Sequence, residues 1–590
     1  MNPFAQVEAR VRAIVADWQA SGRLPGEALP LSKLTVEPPK DPSHGDASTN
    51  AALILSKSAR SKPLDLAQGF AEELRATPGV TGAATAGPGF VNLTFAPDVW
   101  LGEVRDAIRQ GVDYGRPDLG QGRPINVEYC SANPTGPLHV GHGRGTVFGD
   151  ALANLLAAAG FEVTREYYVN DGGAQIDVLA RSVHHRYREL LGQAVGELPE
   201  GCYPGDYLIP VAQAIVDRDG DRWSDEPEPV WLEVFRERAI AAMIELIKQD
   251  LATIGVHHDR FSSEAALLRS NRLAEVFDKL QAKQLLYRGT LPPPKGKPIE
   301  DWEPREQLLF KTKSFGDDTD RPLQRSNDEW TYFASDLAYH WDKIDRGFDQ
   351  MVLVVGADHG GYVKRMKAAV AAMSDETAEI DVKLCQLVNL MDDGQPLRMS
   401  KRAGRIVTLG DVVAEVGADV LRFIMLTRRN DAPLDFDLTK VTEQSKDNPV
   451  FYVQYAHARI CSVFRKAEQA GIDVSEPDLA EARFDLLTDE GEIAVARQIA
   501  LYPRTLIQAV EHREPHRIAF YLEELAATSH RLWSRGKEEP DLRFLRDDAP
   551  DLTRARLGLL WAVRNLLASG LGIIGVTPVE EMHRAMTPEG

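Results

Sequence analysis

Ile125-Asn-Val-Glu-Tyr129 runs directly into Cys130-Ser-Ala-Asn-Pro-Thr-Gly-Pro-Leu-His-Val-Gly-His142, and this stretch decides the fold. Its first five residues alternate apolar and polar side chains, which is the period of a strand. Beyond it, Gly143 to Ala159 carries apolar residues at helical spacing and stops at Gly160, a residue suited to close a helix. A strand therefore turns into a helix N-terminus within the motif. Backbone N–H groups without helical partners and the positive end of the helix dipole gather there, and phosphate binds such a place readily. His139 and His142 stand three apart and face one ligand at that end. Gly141 between them lets a flat group approach the backbone. Pro134, Gly136 and Pro137 stiffen the turn ahead of it. By itself HxGH is equally a strand–turn–helix with two solvated histidines, because four residues recur by chance.

A second motif lies far downstream. Arg398-Met-Ser-Lys401 sits in a polar segment between Gly394 and Gly404, read as a loop with basic residues Arg398, Lys401, Arg402 and Arg405. HxGH followed by MSK resembles the class I aminoacyl-tRNA synthetases. Longer blocks narrow the resemblance to arginyl-tRNA synthetases of the bacterial type. They are Ser131 to His142, Tyr332-Phe-Ala-Ser-Asp-Leu-Ala-Tyr-His340, Asp358-His-Gly-Gly-Tyr362 and Asp447-Asn-Pro-Val-Phe-Tyr-Val-Gln-Tyr-Ala-His-Ala-Arg459. The resemblance covers nearly the whole chain. It departs at Arg398, where the family's loop motif often begins with Lys, although a cation stays in place.

Length and composition fit this picture without demanding it. The chain of 590 residues is long enough for about three to four domains. Its apolar and charged fractions, 43% and 26%, are those of an ordinary globular protein. A net charge of −20 argues against a generally basic nucleic-acid coat, yet a local basic surface suffices to bind tRNA. Cys130, Cys202, Cys385 and Cys461 are scattered without CxxC spacing, which suggests neither zinc nor disulfides and makes a reducing cytoplasm the default. The first residues lack the apolar core of a signal peptide. Leu557 to Ile574 is strongly apolar but broken by Arg564, Asn565, Gly570 and Gly572, so it reads as a buried helix and a turn, with no membrane partner.

Three units are expected: an N-terminal α+β module over 1–110, a Rossmann-type α/β catalytic domain over 121–440, and an all-α helix bundle over 441–590. In the first, Phe4–Trp18 and Leu64–Leu74 read as amphipathic helices and Gly89–Phe95 alternates like a strand. From Pro124 strands and helices alternate in the pattern of a parallel, doubly wound sheet, with strands at Ile125–Tyr129, Glu162–Tyr168 and Met351–Val355. The stretch from about 180 to 300 is read as an insertion between two halves of that sheet. The tail is helical in pattern over Val450–Glu468, Glu490–Tyr502, His516–Ser534 and Thr553–Ser569.

The resemblance implies an arginine–tRNA ligase that activates L-arginine with ATP and transfers it to the terminal adenosine of tRNA(Arg). His139, His142 and Lys401 would be catalytic. ATP would be bound by His139, Gly141, His142, Met399, Ser400 and Lys401, with Mg²⁺ arriving on the phosphates and no dedicated metal site in the protein. Arginine would be held by Glu128, Ser131, Asn133, His142, Tyr332, Asp336 and His359. A fixed carboxylate is needed because a guanidinium presents a planar fork of donors. Tyr332 and Asp336 stand four apart on a helical pattern, so both face one pocket. Phe90 and Asn92 would read an unpaired base of the tRNA elbow, unless Phe90 is simply a core residue of its strand. Gln454, Tyr455, Arg459 and Met582 would serve the anticodon. A monomer is expected. The rivals are another class I synthetase, a small adenylyltransferase using HxGH, and a catalytically dead RNA-binding relative. The length, the helical tail and the Tyr332/Asp336 pair argue against the first two, and intact His139, His142 and Lys401 against the third.

Overall fold

A computed structural model describes residues 2–24, 29–291, 305–327, 329–397, 407–443 and 448–582. At its centre is a five-stranded parallel sheet: β1 (Pro124–Glu128), β2 (Glu162–Val169), β3 (Arg260–Ser263), β4 (Gln350–Gly356) and β5 (Glu379–Cys385). Their spatial order is β5-β4-β1-β2-β3. β1 pairs on one side with β4, Val127 opposite Val352, and on the other with β2, Val127 opposite Arg165. The order thus reverses between β1 and β4, and the crevice at their carboxyl ends is where such a sheet binds ligands. Met351 to Val354 form an unbroken apolar run and all four are buried, as a strand covered on both faces requires.

Helix α1 (Val140–Ala158) leaves the β1 end and packs its apolar residues on the sheet. Between β2 and β3 the chain makes a helical excursion through α2 (Ala174–Leu190), α3 (Ile209–Asp219) and α4 (Glu228–Thr253). The excursion has its own core, centred on Leu179, Val183, Tyr187, Trp231 and Phe235. β3 returns to the main sheet, so the sheet takes its edge strand from inside the stretch read as an insertion. Four residues of mixed polarity, Arg-Phe-Ser-Ser, are too short to show a strand period by themselves. Further on, α5 (Tyr332–Asp345) precedes β4, and α6 (Val363–Ser374) links β4 to β5.

The N-terminal module is a four-stranded antiparallel sheet backed by helices, with Ala47–Thr49 and Val80–Ala86 flanking Phe90–Phe95. Val91, Leu93 and Phe95 point inward from that strand, whereas Phe90 is 37% exposed. The bundle is built from α7 (Pro449–Gln469), α8 (Glu490–His512), α9 (His516–Glu538) and α10 (Pro550–Ile573). α8 continues past Pro503, where the sequence pattern stops at Tyr502. Pro503 is buried and its ring lies against Gly115, so tertiary packing offsets the hydrogen bond that proline removes. The apolar stretch within α10 is the bundle's core, and no helix among the described residues is long and apolar enough to cross a membrane. The module and bundle are joined by Arg497–Asp46 at 3.2 Å and by the Arg105 Nε bond to the Ala480 carbonyl at 3.1 Å.

Candidate functional site

The helix of the signature motif begins inside the motif, at Val140. His139 is its N-cap: the ring Nδ1 accepts the Gly141 N–H at 3.1 Å. His142 Nδ1 in turn accepts the His139 N–H at 3.3 Å, which completes a capping box made of two histidines. Capping rules favour Ser, Thr, Asn and Asp, so the pattern alone places the start three residues late. The two rings stack with centroids 3.7 Å apart. Because both Nδ1 atoms accept from backbone, a neutral ring carries its proton on Nε2, away from the helix. Just upstream, Cys130 and Ser131 have φ of 71° and 21°, unusual for residues with side chains. This bend turns the chain sharply out of β1 and lets Ser131 bridge two strands. Its hydroxyl donates to Glu128 Oε1 at 3.2 Å and accepts the Tyr168 N–H at 3.0 Å.

Behind this turn lies a cluster of buried charge. Glu128, the last residue of β1, accepts from Lys343 Nζ at 2.5 Å, and both are almost fully buried. Glu166 on β2 is buried in full and takes both its oxygens to Arg346 at 2.9 and 2.8 Å, with Asn126 at 2.7 Å and Ser262 at 2.6 Å. Burial alone would raise its pKa, but the Lys343 charge, Ser262 and Arg346 outweigh it and hold the carboxyl at about 2. These two pairs are satisfied. Asp336 is different. It is half-buried on α5, and among the described residues it has no ion-pair partner. Burial pushes its carboxyl up to about 7, with Glu264 and Glu128 adding to the rise and a hydrogen bond from Tyr362 opposing it. Glu264, which opens the short helix after β3, is buried and also held above its ordinary value by burial, while Tyr168 hydrogen-bonds to it. Two carboxyl groups held above their ordinary range, each bonded by a tyrosine, suit an organic cation.

The other residues expected at the arginine site are placed variously. Tyr332 is the first residue of α5 and is 78% exposed, so Tyr362 takes the hydroxyl contact with Asp336. Asn133 is exposed on the turn, and His359 is exposed in the short helical turn after β4, 3.6 Å from Asp358. Glu264 and Tyr362 escape the sequence reading. Glu264 lies in an unpatterned stretch, and Tyr362, although inside a quoted block, carries no spacing signal.

Met399, Ser400 and Lys401 lie outside the described residues. The segment that follows them is anchored at the signature motif: Thr408 forms a β-bridge with His139, and Leu409 N–H donates to the Leu138 carbonyl at 2.7 Å. The described residues that follow the second motif, Thr408 and Leu409, thus lie against the first.

Two cavities collect the residues expected to meet RNA. One of about 500 Å³ is lined by Tyr455, Arg459, Lys466, Trp533 and Met582. The Arg459 guanidinium lies over the Tyr455 and Trp533 rings at 4.7 and 4.4 Å, and Tyr455 stacks near His530 at 5.7 Å. Gln454 uses its amide within the protein, on Asp419 at 3.3 Å and the Thr577 carbonyl at 3.1 Å. The second cavity, about 770 Å³, lies between the N-terminal module and α8 and is lined by His44, Asn92, Trp100, Arg497 and Gln498. Phe90 is exposed on the same strand as Asn92, which removes the core reading of that residue.

Comparison with known proteins matches three family models in order along the chain: an arginyl tRNA synthetase N terminal domain over residues 5–95, a class I (R) tRNA synthetase catalytic domain over 103–200, and a DALR anticodon binding domain over 453–582. The arginine–tRNA ligase of Ruegeria pomeroyi is 56% identical over 583 residues, covering 99% of this chain and 100% of the relative. That of Methylobacterium nodulans is 56% identical over 594 residues, with 99% and 100% covered. Among solved structures, a putative arginyl tRNA synthetase of Campylobacter jejuni aligns with a TM-score of 0.71 at 29% identity, covering 83% of this chain and all of that one. The Thermus thermophilus arginyl-tRNA synthetase shares the fold at a TM-score of 0.70 and 21% identity, with 97% and 99% covered.

Proposed function

The chain belongs to the arginyl-tRNA synthetases, and from that premise we propose how its own residues divide the work of joining arginine to tRNA. The overall reaction has two steps. An arginine carboxylate oxygen attacks the α-phosphorus of ATP, and the bond to the bridging oxygen breaks to release pyrophosphate. A ribose hydroxyl of the terminal tRNA adenosine then attacks the arginyl carbonyl carbon, and AMP leaves. The first step gathers negative charge around phosphorus, so it is served by donors and cations fixed in advance.

The phosphates lie at the N-terminus of α1 in this reading, with His139 and His142 presenting Nε2–H donors and Gly141 leaving room for the nucleotide. Lys401, with Met399 and Ser400, approaches from the segment tethered to His139 through Thr408. Magnesium arrives chelated by ATP; among the described residues no group of three or more His, Cys, Asp or Glu is placed to hold an ion. The arginine guanidinium enters the pocket of Asp336, with Glu264 and Tyr362 beside it, while Glu128, Ser131 and Asn133 lie toward the α-amino end. His359 and Tyr332, both at the exposed rim, close over the substrate when it binds.

The observation that carries the reading is the Asp336 pocket. A carboxyl group pushed to about 7, beside a second raised carboxyl, is a site short of one cation. A guanidinium supplies that cation and can bond to both oxygens. Uncharged amino acids would leave the carboxylate buried and unpaired, so no editing site is required. The tRNA is held at both ends, an elbow base near Phe90 and Asn92 and the anticodon in the Tyr455, Arg459 and Met582 cavity, where an aromatic face and a guanidinium suit an unstacked base. Gln454 acts by holding the segment that carries Met582. The domain limits read from the sequence, 1–110, 121–440 and 441–590, are kept in this proposal, as is a cytoplasmic monomer, in keeping with four free cysteines. Aminoacylation assayed across all amino acids tests the assignment: arginine alone should be charged, and charging of lysine or citrulline at comparable efficiency would remove Asp336 from the specificity role. Sedimentation tests the monomer.

A further inference from the structure

We propose that the helical excursion between β2 and β3 is a clamp on the phosphate-binding turn, and that its residues Tyr207 and Asp250 are positioning residues for the adenylation step. The inference rests on the assignment of His139 and His142 to ATP. The turn that leads into α1 is gripped from outside at three backbone atoms. The Tyr207 hydroxyl donates to the Thr135 carbonyl at 2.7 Å. The Leu138 N–H donates to Asp250 Oδ2 at 2.7 Å. The Leu138 carbonyl accepts the Leu409 N–H at 2.7 Å. The third grip comes from the segment after Lys401, and the first two come from the excursion.

Both contacts reach beyond the excursion's own packing. Its helices close on a separate apolar core, against which the Tyr207 ring also packs, while the Tyr207 hydroxyl and the Asp250 carboxylate bond to the signature turn. Tyr207 sits in the short turn Asp206–Leu208 that opens α3, half-buried and clasped between two glycines. A Cβ on Gly136 would meet its hydroxyl oxygen at 2.9 Å, and one on Gly205 would meet its ring at 2.0 Å. The two glycines leave room for the ring beside the turn, and the place it takes aims the hydroxyl at Thr135. Asp250 belongs to the last turn of α4, where a negative charge opposes the helix dipole. It is half-buried as well, and burial holds its carboxyl above the ordinary range while the Leu138 N–H opposes the rise. A carboxylate in such a position is costly unless the amide it accepts matters. Ile247 and Leu251, on either side of it, are packed into the main core, so Asp250 rides on a rigid support.

The consequence reaches the chemistry through one residue. Leu138 precedes His139, whose ring is fastened to Gly141 N–H and whose own N–H fastens His142. A small shift of the Leu138 amide therefore displaces both rings, and displacements of that size are felt in rate.

The test is pyrophosphate exchange by the full chain with arginine, ATP and tRNA(Arg), with ATP and arginine varied separately and thermal melting recorded for each variant. Tyr207→Phe removes a neutral hydrogen bond and should lower kcat/KM for ATP by about fivefold. Asp250→Ala leaves a backbone donor unpaired and should lower it by about tenfold to a hundredfold. Asp250→Asn keeps an acceptor and should recover most of that loss. The KM for arginine should change several-fold less than kcat/KM for ATP in all three, since Asp336, Glu264 and Tyr362 stand on other elements and only Ser131, Asn133 and His142 share the clamped turn and helix start. Wild-type ATP parameters in both Tyr207→Phe and Asp250→Ala would overturn the inference, as would ATP and arginine parameters falling together with the melting temperature. His139→Ala, run alongside, separates the two levels: if it retains the wild-type rate, the ATP assignment itself fails.

Discussion

Asp336, proposed to select the guanidinium, also offers a way to measure that role. Its carboxyl stands at about 7 because burial, then Glu264 and Glu128, disfavour its charge. An arriving guanidinium prefers the ionised form, so binding should expel a proton at any pH below about 7 and above the lower pKa of the complex. Affinity is then full above about 7 and falls as pH drops, by about tenfold at pH 6. Calorimetry of arginine binding in buffers of different ionisation heat would show the proton release; a Kd flat from pH 6 to 8 would contradict it. Asp336→Asn removes both the charge and the pH dependence. Loss of one partner of a buried charge pair costs about 3–5 kcal/mol, so arginine use should weaken by roughly two to three powers of ten, with the KM for ATP nearly kept. Lys401 makes a different residue-scale prediction. Lys401→Ala should lower the adenylation rate by about a hundredfold to a thousandfold, the usual cost of one donor aimed at a transition state. A raised KM for ATP with kcat intact would assign Lys401 to ground-state binding alone.

At the scale of the element, α1 shows two duties carried by one side chain. His139 caps the helix and is expected to meet the triphosphate, and substitution can part these duties. His139→Ala removes the cap and should destabilise the first turn by about 1 kcal/mol. His139→Asn restores a capping acceptor, so amide exchange in Val140 to Gly143 should return toward wild type while adenylation stays slow. If Asn restores the rate too, the ring acts only as a cap. The same helix is fixed at its far side. Asp150 accepts from Arg422 Nη2 at 2.5 Å and from Tyr129 at 3.2 Å. Arg422 is buried, and it also donates to the carbonyls of Ile254 at 2.8 Å and Ile574 at 3.0 Å. One guanidinium thus joins the signature helix, the end of the excursion and the end of the bundle.

Over the whole molecule this junction ties the signature helix to the C-terminal segment of the chain. From Ile574 the chain runs on through Thr577, held by Gln454, and Val579, held by His457, to Met582 in the Tyr455–Arg459 cavity. The two cavities proposed to meet RNA therefore flank the proposed catalytic centre, and the one at Tyr455 and Arg459 is tied to it. We predict that adenylation requires bound tRNA. Ligand binding can impose this only by favouring the competent state; moving a site from about 1% to 99% competent takes about 5.5 kcal/mol of differential affinity. The check is pyrophosphate exchange with and without cognate tRNA, including tRNA whose terminal adenosine cannot accept arginine. Brisk exchange in RNA-free protein would leave the flanking domains as docking surfaces only.

The sequence by itself determined the class and order of the parts, because these rest on local periodicity. Alternation placed β1 and a continuous apolar run placed β4, each within a residue or two, β2 was placed as closely, and the 3.6-residue period found the bundle helices. Short blocks sufficed to identify the family. Contacts between distant segments were decided by the tertiary structure. A four-residue edge strand, β3, becomes a strand only when β2 offers it partners. A helix runs through Pro503 only when Gly115 covers the ring. Asp336 gains its raised pKa from burial and from Glu264 and Glu128, against a hydrogen bond from Tyr362; these residues belong to other elements, and a charge set by desolvation has no signature in spacing. The same holds for the grip of Tyr207 and Asp250 on the signature turn. Periodicity records which face of an element is apolar, whereas electrostatics and long-range hydrogen bonds depend on which faces are finally brought together.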